Sequence, residues 1–239
     1  MQPHERIIVA LDVPTLKEAR ALVEKLSPHV GFFKVGLQLA TSVGAPQVVE
    51  AIQDCGGRVF LDLKFNDIPN TVGEASKAAV ACGVFMFNVH ASAGIAAMKA
   101  AVANKDRSLV LAVTVLTSFD EKDCSHIFGD RPAVVVPTLA EDALEAGCDG
   151  IICSPKELVL FKDEKFVRLL KVVPGIRPEW ARTDDQKRFT TPMEAIKAGA
   201  DYLVIGRPIT KPPDGIGSPA AAAQRVAAEI AVAHAELGL

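Results

Sequence analysis

Eight short apolar runs, spaced by about thirty residues, constrain the fold of this chain more than any other feature. They lie at 7–11, 31–35, 59–63, 84–89, 109–113, 150–153, 169–173 and 202–205. Most are near-continuous in apolar residues rather than alternating, the pattern of parallel strands covered on both faces. Parallel strands must be joined by crossovers, and each run is followed by an amphipathic, alanine-rich stretch able to supply one. Helical patterns stand out at 15–26, 72–81, 93–103, 139–146 and 192–197. Eight strand–helix units in 239 residues predict an α/β protein, a single (β/α)8 TIM barrel spanning 1–239 as one domain. A doubly wound open sheet is the alternative, disfavoured because no G-x-G-x-x-G follows the first run.

Helix boundaries carry their own chemistry. Thr15 precedes Glu18 at capping-box spacing, and Pro192 suits a first turn. Gly83, Gly147 and Gly199 stand just before predicted strands, where a left-handed C-cap residue is wanted. The alanine-rich tract 220–223 fits a closing helix. A composition of 49% hydrophobic and 23% charged residues supports a large core without disulfide or metal staples. The net charge of −3, with no basic run and no zinc-ligand spacing, argues against a nucleic-acid polymer as partner. No apolar run approaches the roughly 20 residues that span a bilayer, and the polar first residues lack a signal-peptide design. Five scattered cysteines without a C-x-x-C pair read as buried thiols in a reducing compartment. A cytoplasmic location without membrane association is expected.

Barrels of this kind react at the C-terminal ends of their strands. Asp12 follows the first run and Lys34 lies inside the second; a charge within an apolar run is costly unless paired. Taken alone, either residue reads first as part of a structural ion pair or as a strand-end residue reaching solvent. The third run continues Asp62-Leu63-Lys64-Phe65-Asn66-Asp67-Ile68-Pro69-Asn70-Thr71. Side chains two apart on a strand share a face, so Asp62 and Lys64 are expected to point the same way. Asp67 is also a candidate N-cap, with Pro69 in the first turn of the next helix. A lysine flanked by carboxylates keeps its charge, which suits proton delivery to a carbanion and not Schiff-base formation.

Thr117 and Ser118 end the fifth run and can offer hydroxyl and backbone groups at the barrel mouth, although either one alone reads first as a turn or cap residue. The seventh leads into Pro174-Gly175-Ile176-Arg177-Pro178 and then a polar loop through Gln186 to Arg188, long enough for a lid. The eighth ends in Gly206-Arg207-Pro208. Loops after strands seven and eight commonly hold a phosphate, and Arg207 and Arg177 offer forked donors for one. The histidines have no ligand spacing, so no metal is expected, and His90 is read as a hydrogen-bonded structural residue. No nucleophile motif is present.

Together these motifs resemble the orotidine 5′-phosphate decarboxylase family across essentially the whole chain. The resemblance implies conversion of orotidine 5′-monophosphate to UMP and carbon dioxide in pyrimidine biosynthesis, without cofactor or metal. It makes Lys64 the proton donor to C6 and sets Asp62 close to the departing carboxylate, in an alternating charge array with Lys34. Asp67, Ile68 and Thr71 would serve the neighbouring subunit's site, which implies a homodimer. Asp12, Lys34 and Asp67 would contact ribose hydroxyls or order the charges. Thr117 would meet the pyrimidine edge, and Pro174 would lie near the base. Gln186, Arg207 and the amides of Gly206 and Arg207 would grip the phosphate, with Arg177 on the closing loop. The connector 211–219 matches the family only loosely. Two rival readings share much of this pattern: a magnesium-dependent decarboxylase or aldolase of sugar phosphates, and a non-catalytic barrel that binds a phosphorylated ligand.

Overall fold

The computed structural model describes residues 1–181 and 190–238. Its strands are β1 (Ile7–Ala10), β2 (Phe32–Val35), β3 (Val59–Phe65), β4 (Met86–His90), β5 (Leu109–Val113), β6 (Gly150–Ile152), β7 (Leu170–Val173) and β8 (Tyr202–Ile205). They are hydrogen-bonded in chain order as a closed barrel, which is the expected (β/α)8 fold. Each predicted run holds one strand, with ends displaced by no more than two residues. The helices are α1 (Leu16–Leu26), α2 (Leu37–Val43), α3 (Ala45–Asp54), α4 (Pro69–Ala81), α5 (Ile95–Ala103), α6 (Glu121–Phe128), α7 (Pro132–Ala146), α8 (Pro192–Lys197), α9 (Arg207–Thr210) and α10 (Pro219–Leu237). None of the described helices is long and apolar enough to cross a membrane.

Two compact units divide the chain: Met1–Asp62 with Gly175–Leu239, and Leu63–Pro174. In the first, β1 pairs with β2 (Val9 opposite Phe33) and with β8 (Val9 opposite Ile205). Flanked on both edges and covered on both faces, Ile7, Ile8 and Val9 are wholly buried. That is why the strand reads as an unbroken apolar run. Helix α10 packs against α8 and β1 and buries Val226 and Ile230 together with the small Ala222, Ala223 and Ala233. Its N-cap is Ser218, whose hydroxyl accepts from the Ala221 amide at 3.1 Å. This local chemistry starts the helix after the loosely matching connector.

In the second unit, β4 to β7 are in register at Asn88–Leu111, Leu111–Gly150 and Gly150–Leu170. Helix α5 packs against α4 and α7 and buries Ala97, Met98 and Ala101. Helix α7 starts at Pro132, well before the predicted 139, and carries Pro137 in its interior. Proline removes one i→i−4 bond, and the buried face of Val135, Val136, Leu139, Ala140 and Ala143 offsets that loss. Helix α5 begins at Ile95, two residues later than predicted, because Gly94 at φ 90° separates it from the 3-10 turn Ala91–Ala93.

Several cap expectations hold. Thr15 accepts from the Glu18 amide at 3.3 Å, though its hydroxyl meets the Glu18 carboxylate instead of completing the reciprocal backbone bond. Pro192 stands in the first turn of α8 as expected, where Thr191 and Glu194 add a full capping box that was not anticipated. Gly83, Gly147 and Gly199 all take positive φ, as a left-handed helix end requires.

Candidate active site

Register accounts for the charge cluster at the ends of β1, β2 and β3. Lys34 pairs with Ala10 on one side and Phe60 on the other. Asp12 and Asp62 lie two residues beyond those partners, so the pleat carries all three side chains to the same face. The Lys34 ammonium stands 3.1 Å from Asp62 Oδ2 and 3.5 Å from Asp12 Oδ1. The Lys34 and Asp62 side chains are 13% and 11% exposed, whereas Asp12 is 65% exposed. The Lys34–Asp62 pair is therefore poorly screened and tightly coupled, while Asp12 contributes an interaction weakened by water. Gly36 closes the cluster: a Cβ there would come within 3.1 Å of the Lys34 ammonium. A side chain at that position would require the end of the lysine to give by a few tenths of an ångström.

Two residues past Asp62, β3 departs from regular extension. Lys64 takes φ 53°, one of two non-glycine residues with positive φ among those described. A non-glycine residue held in that region costs about 1–3 kcal/mol and persists only where its surroundings impose it. The Lys64 amide donates to Asn88 Oδ1 at 2.7 Å, and Asn88 is fully buried. The expectation that Asp62 and Lys64 share a face assumed extended backbone throughout, so strand alternation alone does not set the lysine's direction. Next to it, Phe65 packs against Phe87 with ring centroids 5.9 Å apart.

Residues 66–71 are exposed, Ile68 to 66%. Asp67 is not the helix cap. Helix α4 begins at Pro69 with Ile68 as its cap residue, and Asp67 Oδ1 accepts from the Ile68 amide at 2.7 Å. Its carboxylate therefore braces the turn before the helix. Thr71 lies in the first turn of α4. Thr117 is exposed between β5 and α6, while the nearby Thr114 is buried and donates to the Ile152 carbonyl at 2.9 Å. His90, half-buried, ends β4. Pro174 directly follows β7 and is half-buried.

Arg177 is half-buried, and its amide donates to the Thr190 carbonyl at 3.0 Å beside a bridge between Ile176 and Thr190. Gln186 lies outside the described residues. Trp180 donates through Nε1 to Glu229 on α10 at 3.1 Å. Burial pushes the Glu229 carboxyl above its usual range, partly opposed by that hydrogen bond. Gly206 follows β8, and exposed Arg207 opens α9. A Cβ on Gly206 would lie 3.6 Å from the Ala10 side chain and 3.8 Å from Asp12 Oδ2, so the end of β8 adjoins the Asp12 end of β1. Among the described residues, no group of three or more His, Cys, Asp or Glu side chains could hold a metal ion.

The structure thus brings Asp12, Lys34, Asp62 and Gly206 together, and it sets Lys64 on Asn88. Asn88 was missed in the sequence although it carries the same signal as Lys34, a polar residue inside an apolar run. The Trp180–Glu229 tie had no sequence signal, because its partners are 49 residues apart.

Comparison with known proteins extends this match of residues to nearly the whole chain. A family profile described as "Orotidine 5'-phosphate decarboxylase / HUMPS family" matches residues 5–226. The chain is 48% identical over 233 residues to a Geotalea daltonii protein named orotidine 5'-phosphate decarboxylase, covering 94% of this chain and 95% of that one. A Moorella thermoacetica protein of the same name is 46% identical over 241 residues, covering 96% and 94%. The crystal structure of orotidine 5'-phosphate decarboxylase from Lactobacillus acidophilus superposes with a TM-score of 0.79 at 33% identity, covering 94% of this chain and 98% of that chain. The barrel, the charge cluster ending its first three strands and this similarity agree, and the chain belongs to the orotidine 5'-phosphate decarboxylase / HUMPS family.

Proposed function

We propose that the chain decarboxylates orotidine 5′-monophosphate to UMP and carbon dioxide in pyrimidine biosynthesis, with residues 1–239 acting as one catalytic domain in the cytoplasm. The observation that carries this reading is the charge series on successive strand ends: Lys34 held by Asp62 and Asp12, with Lys64 two residues further along β3. Near-full-length similarity to two proteins named for this activity supports it.

In the reaction the bond from C6 to the carboxylate breaks, and carbon dioxide leaves. The electron pair stays on C6 and takes a proton from the Lys64 ammonium, and the resulting amine is reprotonated from water. The developing charge sits in an sp2 orbital with no ring carbonyl placed to delocalise it. A fixed ammonium is then the effective stabilising device, and no cofactor is called for. Asp62 keeps the neighbouring ammonium of Lys34 in place and lies near the departing carboxylate. Asp12, Lys34 and Asp67 meet the ribose hydroxyls or order the charges; Thr117 and Pro174 meet the base. Arg207, Arg177 and the amides at Gly206 and Arg207 bind the phosphate. Binding energy from that remote group serves to order the charged residues rather than to react. Asp67, Ile68 and Thr71 complete the site of a second copy in a homodimer, a reading favoured by the exposure of Ile68 in a polar run.

An ultraviolet assay of purified protein with orotidine 5′-monophosphate in excess EDTA tests the reading. Full turnover is expected; a strict magnesium requirement would favour the sugar-phosphate branch. The Lys64→Ala variant is expected to lose at least about 1,000-fold in kcat while still binding UMP. An unchanged rate removes Lys64 from the mechanism.

A further inference from the structure

We infer that Asn88 is a positioning residue for Lys64: its side-chain carbonyl holds the lysine's backbone in the left-handed conformation and thereby fixes where the ammonium is delivered. The inference rests on the decarboxylase reading above for its catalytic consequence. Its geometric basis stands without it.

Three observations converge on Asn88. The lysine at position 64 has φ 53°, a conformation that L side chains avoid unless something imposes it. Its amide donates to Asn88 Oδ1 at 2.7 Å, a short and direct bond from the neighbouring strand. Asn88 itself is wholly buried on β4, between apolar Phe87 and Val89. Burying an amide there is costly unless its polar atoms are matched, and a leucine of similar volume would fill the space without that cost. What the leucine could not do is accept from an amide that the local turn has rotated out of regular strand geometry.

The chemistry at stake favours an amide over a carboxylate. Asn88 supplies an acceptor without adding a negative charge beside Lys64. A lysine side chain pivots on its own backbone: rotating φ at position 64 swings the whole side chain. Loss of the Asn88 acceptor would let the backbone relax toward extension and misdirect the ammonium. Substrate contacts elsewhere would persist. The expected signature is a fall in kcat with KM kept.

The test compares Asn88→Leu, which keeps volume and removes the acceptor, with Asn88→Asp, which keeps an acceptor oxygen in the same position. Rates are normalised to sites counted by UMP binding. Asn88→Leu is expected to lose about 10–100-fold in kcat with KM for orotidine 5′-monophosphate within about twofold of wild type. Asn88→Asp is expected to recover part of that loss, the added charge beside Lys64 accounting for the remainder. Hydrogen exchange gives a readout independent of catalysis: the Lys64 amide is expected to be protected in the wild type and in Asn88→Asp, and to exchange freely in Asn88→Leu. If Asn88→Leu does not fold, Asn88→Ala removes the acceptor and is read the same way. Wild-type kcat in the acceptor-less variant, or a Lys64 amide that stays protected in it, overturns the proposal. Absence of turnover by the wild type would instead refute the decarboxylase reading, leaving the exchange result to decide the role of Asn88.

Discussion

Replacing Lys34 by methionine keeps the volume of the side chain and removes the positive charge from between Asp62 and Asp12. The two carboxylates respond unequally. Asp62, 11% exposed and 3.1 Å from the ammonium, is left as a largely desolvated charge without that cation. Removing one partner of a buried pair costs about 3–5 kcal/mol, chiefly because the other charge is stranded. Asp12, 65% exposed, is rehydrated in place, and its interaction is worth under about 1 kcal/mol. Lys34→Met should therefore lower the urea midpoint by about 1–2 M, while Asp12→Ala barely moves it. The decisive comparison uses Asp62→Asn, which removes the carboxylate charge and keeps its shape. In that background Lys34→Met should cost about 2–3 kcal/mol less than in the wild type, because no charge is stranded. Denaturation followed by circular dichroism gives all four corners of the cycle. A coupling energy within about 0.5 kcal/mol of zero would refute the claim that these two charges are buried as a pair.

Acid sensitivity should be traceable to His234, whose affinity for protons is lowered by burial, by nearby Arg6 and by the N-terminal ammonium. Its folded-state value lies below its unfolded one, so unfolded chains take the proton first. The stability it contributes is complete above about pH 6.5 and declines as pH falls through the folded value. Midpoint-versus-pH curves for wild type and His234→Gln should therefore diverge below that pH; parallel curves would sink the assignment. Thiol labelling at pH 8 should modify partly exposed Cys55 and Cys82 first, sparing buried Cys124, Cys148 and Cys153. Burial pushes the Cys148 thiol up to about 12, so early labelling of that residue by mass spectrometry would contradict its environment. Ile68→Glu should shift the sedimentation profile toward a single copy and lower activity per chain, and an unchanged profile would argue against Ile68 at a dimer interface.

The strands were legible in the sequence because burial on both faces leaves a local mark: Ile7, Ile8 and Val9 must be apolar together. Helix ends at Thr15 and Gly147 were legible for a similar reason, since a cap satisfies backbone groups within a few residues of itself. The charged residues at positions 12, 34 and 62 could be flagged by their cost inside or beside apolar runs. Their pairing could not, because it depends on the register that sets Ala10, Lys34 and Phe60 side by side. Tertiary structure alone decided the direction of Lys64. Strand periodicity assumes extended backbone, and the rotation at that residue is imposed by an amide 24 positions away on the next strand. It also decided that Ile68, not Asp67, caps α4, a choice between neighbours that turns on the backbone path out of β3. Local sequence fixes which groups must be satisfied; the assembled barrel fixes which partner satisfies them.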